Sequence, residues 1–185
     1  MLIPLGFLAS SGASGATFEL LESTVLTGSQ AAVEFTNLTT KYAATYQHLQ
    51  LRMVTRSARN AEDYIYIRFN GDTAANYSEH NLIGDGSVVV SGGGGNTTQM
   101  FVGVNASANL TSGLFTGLVT DILDPFETTK NKTIRTLSGM PRVVGLFSGS
   151  YRSTSAVSSI TIRNVNGDNF VQFSRFSLYG IKATA

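Results

Sequence analysis

The sequence predicts an all-β fold: an antiparallel β-sandwich of the jelly-roll kind with an extended N-terminal arm. Three observations lead there. Apolar residues recur with period two in one segment after another. Gly, Asn and Asp punctuate those segments at short spacing. Nowhere does a long stretch show the 3.6-residue period of an amphipathic helix. The 185 residues suffice for one buried core. We read residues 1–16 as a docking arm and 17–185 as a single sandwich domain.

The elements follow in order. "FELLESTVL" from Phe18 and "AAVEFTNL" from Ala31 are strand candidates. In "YQHLQLRMVTR", Leu49, Leu51 and Met53 fall on one side of an extended chain, and His48, Gln50 and Arg52 on the other. "DYIYIRFNGD" repeats the pattern: Ile65, Ile67 and Phe69 alternate with Tyr64, Tyr66 and Arg68 until Asn70-Gly71-Asp72 ends the run. "AANYSEHNLIG" (74–84) reads as a helical turn, and "SGGGGN" (91–96) as a flexible loop tip. "QMFVGVNA", "GLFTGLVTDIL", "NKTIRTLSG" and "RVVGLFSGSYR" are further strands. "SSITIRNVNGDNFVQFSRFSLYGI" reads as a hairpin turning at Asn166-Gly167-Asp168, with a bulge or two-sided burial in its return strand.

Composition excludes several function classes. The chain carries 13 basic and 12 acidic residues, a formal charge of +1. No global field recruits nucleic acid or an anionic membrane, and neither is expected as a partner. Charged residues are 14% of the chain, roughly half the usual share. Solubility rests on Ser, Thr, Asn and Gly, whose burial against another protein costs less than burial of a charge. With no cysteine, disulfides and thiolate metal sites are excluded.

Candidate chemistry is sparse. Gly92–Gly95 lacks the Gly-Lys-Ser/Thr ending of a phosphate loop. His48 and His80 sit in no metal-binding pattern; His80, which follows Glu79, is a weak candidate for a general base, and His80 or Asp85 is where an enzyme reading would be tested. No carboxylate spacing demands a glycosidase pair, and the oxygens around Asp72 are too few for a calcium loop. We therefore expect no enzyme activity and no cofactor or metal. Arg52, Arg56, Arg59 and Arg68 gather around two strands that we expect to pair. Arg52, Arg56 and Arg68, with Tyr64 and Tyr66, are candidates for intersubunit or ligand contacts. Tyr64, Tyr66, Tyr77 and Tyr151 are also candidate platforms for sugar rings.

The opening "MLIPLGFLASSGASGATFEL" raises its own question. It has no basic residue before Lys41, and Pro4 and Gly6 break its apolar run. That fits neither a signal peptide nor a membrane span, which needs about 20 apolar residues. Leu2, Ile3, Leu5, Phe7 and Leu8 are instead expected to dock on a neighbouring protein, with Ser10 to Ala16 as the hinge, the alternative being that the segment folds back on its own domain as an edge strand.

Several stretches together resemble a family of small virion structural proteins of tailed bacteriophages. They are the N-terminal "MLIPLGFLASSGASGATFELLEST", "YQHLQLRMVTRSARNAEDYIYIRFNGDTAANYSEHNLIGDGSVVVSGG", "VTDILDPFETTKNKTIRTLSG" and the terminal "FSLYGIKA". The FNGD and YGIK elements are its most specific marks, and the resemblance covers nearly the whole chain. It implies a place in the virion, assembled in the host cytoplasm, and carries over no catalytic residue. The expected role is a capsid decoration (cement) protein, trimeric, anchored through residues 1–16 to a major capsid protein or another virion protein. The alternative is a tail-fibre or tail-tip module that binds host-surface glycans.

Overall fold

The structure is a computed structural model that describes residues 17–182. The arm candidates Leu2, Ile3, Leu5, Phe7 and Leu8 lie outside the described residues. The elements are β1 (Phe18–Val25), β2 (Ala32–Phe35), α1 (Leu38–Tyr42), β3 (His48–Thr55), β4 (Asp63–Phe69), β5 (Tyr77–Gly84), β6 (Val89–Thr97), β7 (Met100–Asn105), β8 (Thr116–Leu123), β9 (Lys132–Met140), β10 (Val143–Tyr151), β11 (Ile160–Asn164) and β12 (Arg175–Ile181). They form an antiparallel sandwich. One sheet has eight strands in the order β1-β12-β3-β8-β9-β10-β5-β6, and the other has four, β2-β11-β4-β7.

Setting aside the β5–β6 and β9–β10 hairpins leaves eight strands, ordered β1-β12-β3-β8 and β2-β11-β4-β7. That is jelly-roll connectivity: the first strand pairs with the last, and the chain crosses repeatedly between the sheets. Both inserted hairpins join the large sheet beyond β8 and double its width.

The period-two pattern fills the space between the sheets. Leu49, Leu51 and Met53 from β3 meet Ile65, Ile67 and Phe69 from β4, with Ile160, Ile162, Phe176 and Leu178 completing the core. Glycine lets β7 approach β8 and β9. A Cβ on Gly103 would stand 2.2 Å from Leu118 Cδ2 and 3.1 Å from Ser138 Cβ. One end of the sandwich is closed by a buried polar network. The Arg56 guanidinium donates to the carbonyls of Ala108, Leu110, Thr111 and Leu114 at 2.8–3.1 Å. Thr55 Oγ1 donates to Asn105, Asn105 to Asn164, and Asn164 to the Asp168 carbonyl. Asp63 accepts from Ser57, Asn166 and the Tyr64 amide.

Several expectations are corrected. Residues 77–84 form β5, because Tyr77 and Glu79 point inward while His80 and Leu82 point out. A buried glutamate disguises that alternation in the sequence. The "SGGGGN" stretch lies within β6, paired to β5. The reason is local: a Cβ on Gly93 would lie 2.6 Å from His80 Cδ2, so glycine makes room for the cross-strand imidazole. Residues 158–181 are no hairpin. β11 pairs with β2 and β4, whereas β12 pairs with β1 and β3. Phe170 bridges to Gln30 and Ser57, and Phe173 adopts φ 71°, as the chain crosses to the other sheet. The return strand β12 is buried on both faces, as expected, with Phe176, Ser177 and Leu178 all buried; the bulge in its pairing lies on β1, where Leu21 is the extra residue. β3 and β4 belong to different sheets and do not pair. The single turn α1 is too short to show a helical period in the sequence; its Leu38 is fully buried.

Two substitutions test this account. Gly103→Ala should destabilise the fold by about 1–3 kcal/mol through overpacking against Leu118, read by urea denaturation. Arg56→Met should cost about 3 kcal/mol or more by stranding buried carbonyls, with lost hydrogen-exchange protection concentrated in residues 107–114. A wild-type exchange pattern there would refute the role given to Arg56.

Candidate functional site

The outer face of the eight-stranded sheet gathers the candidate site. Register aligns one residue per strand into rows across it. Val119 opposes Leu137, Leu137 opposes Leu146, and Leu146 opposes Leu82. All four stand substantially exposed, at 39–55%. A parallel row runs Val54, Gly117, Gly139, Val144, Gly84, Val89. The first row floors an open groove of about 600 Å³. Isolated exposed aliphatic residues are ordinary, whereas here four of them stand contiguous across four strands.

The next row supplies a polar rim: Gln50, Asp121, Arg135, Ser148, His80. Gln50 Nε2 and Arg135 Nε each donate to Asp121 at 2.8 Å. Arg52 Nε donates to Gln50 Oε1 at 2.9 Å. The Arg52 guanidinium also lies 4.8 Å from the Phe18 ring centroid and 5.0 Å from that of Tyr179, and these two rings stack on each other. Aromatic stacking and a hydrogen bond thus fix Arg52 at the β1 side of the groove.

The other sequence candidates are dispersed. Arg56 is buried in the network described above. Arg59 pairs with Asp168 at 3.3 Å. Tyr64, Tyr66 and Arg68 do come together, on the outer face of the four-stranded sheet: Tyr64 stacks on Phe101 and Arg68 covers Tyr66. Burial and the hydrogen bond to Glu62 push the Tyr64 phenol up to about 12. As sugar platforms the tyrosines are corrected: Tyr66, Tyr77 and Tyr151 are at most 5% exposed. Tyr77 and Tyr151 stack within the core, where burial pushes Tyr77 up to about 12.

Among the described residues no catalytic grouping forms around His80. Asp85 is occupied at the β5–β6 turn, accepting from the amides of Ser87 and Val88, bonds that hold its carboxyl below the usual range. His48 Nδ1 accepts from the Asp124 amide. Among the described residues no group of three or more His, Asp or Glu side chains is placed to hold a metal ion. No helix among them is long and apolar enough to cross a membrane. Sequence reasoning missed Val119, Leu137, Leu146 and Leu82. Each is visible as the odd apolar residue on a wet strand face, but their alignment depends on register between distant segments.

Beneath the rim, on the inner side of β5, Glu79 is buried and accepts a hydrogen bond from the Phe101 amide. Burial raises its carboxyl above the ordinary range, and the amide offsets part of that. Neither a family model nor a curated protein nor a solved structure matches the chain.

Glu79 gives a pH-dependent prediction. Its raised value means that its stabilising contribution is full below the unfolded glutamate pKa of about 4.3 and is lost as pH rises through the folded value. Glu79→Gln should therefore melt above wild type at pH 7, and the gap should close near pH 4. A constant gap across that range would contradict the assignment.

Proposed function

We propose that this protein is a structural component of a bacteriophage particle and acts as a capsid decoration protein. The observation that carries the reading is the outer face of the large sheet: an aligned apolar row with a polar rim. Such a face suits packing against another protein. The resemblance to phage virion proteins supplies the particle, and jelly rolls serve in viral capsids as well as lectins. Fold alone does not assign function; the surface is what favours assembly over chemistry. In this reading residues 1–16 anchor the protein to a major capsid subunit, and the apolar row seats it on the shell. The tail-module alternative loses support because three of its four tyrosine platforms are buried.

Gold-labelled antibody against this chain should scatter over the heads of intact particles in electron micrographs. Label confined to tails would overturn the decoration reading. In a reconstitution assay, Leu137→Glu should keep the wild-type melting temperature and weaken attachment to particles at least tenfold. Deleting residues 1–16 should abolish attachment. Full decoration by both variants would remove the face and the arm from the account.

A further inference from the structure

The β5–β6 end of the large sheet has features that its own fold does not use. β6 is the outer strand there, so its outward backbone amides and carbonyls have no strand partner among the described residues. An open edge of this kind is a template for another strand, and proteins ordinarily blunt it with charge, shortness or bulges. The other three edges are blunted. β1 carries Glu19 and Glu22, which pair with Lys182 and Lys41, and it bulges at Leu21. β2 has four residues and includes Glu34. β7 bulges in its pairing with β4, and Arg68 reaches past its start to Thr98 and Gln99.

β6 has none of these protections along most of its length. Its nine residues, VVSGGGGNT, include no charge and no proline, and its register shift is confined to the Gly95–Thr97 end. Val88, Val89 and Val90 at its start are 54–66% exposed. Val89 continues the outer row from Val144 and Gly84, whereas Val90 lines a second groove on the opposite side with Ile83, Met140 and Val143. Apolar surface therefore reaches this edge on both faces of the sheet.

We propose that β6 pairs antiparallel with β6 of a second copy of this chain, about a two-fold axis. The choice of partner follows from charge. β6 offers no cation to meet the glutamates of β1 and no anion to select a basic strand. An uncharged edge with alternating donors and acceptors is complementary to itself. Two-fold pairing closes after two copies and joins the two large sheets into one continuous sheet. The resulting assembly is a dimer rather than the trimer expected from the sequence. The inference concerns the isolated protein and does not depend on its place in a particle.

The test uses the full chain. Light scattering across a concentration series should give twice the chain mass for wild type. Val89→Lys combined with Gly95→Lys should give the single-chain mass while keeping the wild-type circular dichroism spectrum, with a melting temperature that no longer depends on concentration. Val89 is exposed, and a Cβ on Gly95 meets nothing within 4 Å. Because the chain has no cysteine, a nitroxide on Ser91→Cys reports the geometry independently of that variant's folding. Paired labels should lie within about 20 Å, given strand spacing of ~4.8 Å, whereas labels on Thr24→Cys at the far edge should lie much farther apart. A monomer at every concentration, a trimer, a dimer that survives the double substitution, or distant Ser91 labels would each overturn the proposal.

Discussion

Strand β7 meets the large sheet with glycine at position 103, and this approach sets the spacing of the sandwich where the inserted hairpins begin. Leu118 Cδ2 occupies the place that a side chain at 103 would need. The same economy recurs nearby: a Cβ on Gly149 of β10 would stand 2.9 Å from Met100 Sδ and 3.2 Å from Ile134. Small residues at these points let β7 lie against β9 and β10 and hold the added strands to the body of the fold. Without that support, β9, β10, β5 and β6 would be a sheet extension with little beneath it.

The buried polar groups reinforce the arrangement from the two ends. At one, Arg56 gathers four carbonyls of the β7–β8 connection, a task suited to a planar cation with several fixed donors. At the other, the buried Lys132 ammonium donates to the carbonyls of Glu127, Lys130 and Thr154, tying the β8–β9 loop to the segment after β10. Burial lowers its pKa. Tyr151 and Asn76 both donate to Asp72, which holds that carboxyl below its usual range. Several of the scarce charges, among them Arg56 and Asp72, thus serve connections rather than the outer face of the large sheet.

That division bears on function. A surface with an ordinary share of charge resists burial against another protein because each ion must be desolvated or paired. Here the aligned row Val119, Leu137, Leu146 and Leu82 presents little such resistance, and its rim ions Asp121 and Arg135 already satisfy one another. The unequal sheets create this surface: eight strands against four leave the hairpin extension with an outer face and a free edge that the smaller sheet does not enclose.

Local pattern in the sequence determined the strand class, the inward sets on β3 and β4, and most strand positions, because a residue's side of a strand follows from counting by two. It also marked the scarcity of charge. It misassigned β5 and β6, where a buried Glu79 and an imidazole packed over Gly93 reverse what those residue types ordinarily signal. It joined β11 to β12, since turn residues show that a chain bends but not which sheet it enters. The sequence singled out Arg56 and Arg68 as contact candidates, yet only packing separates a guanidinium enclosed by carbonyls from one laid over a tyrosine. The apolar row was beyond local reading for the same reason: its four members come from β5, β8, β9 and β10, and non-local strand register alone brings them side by side.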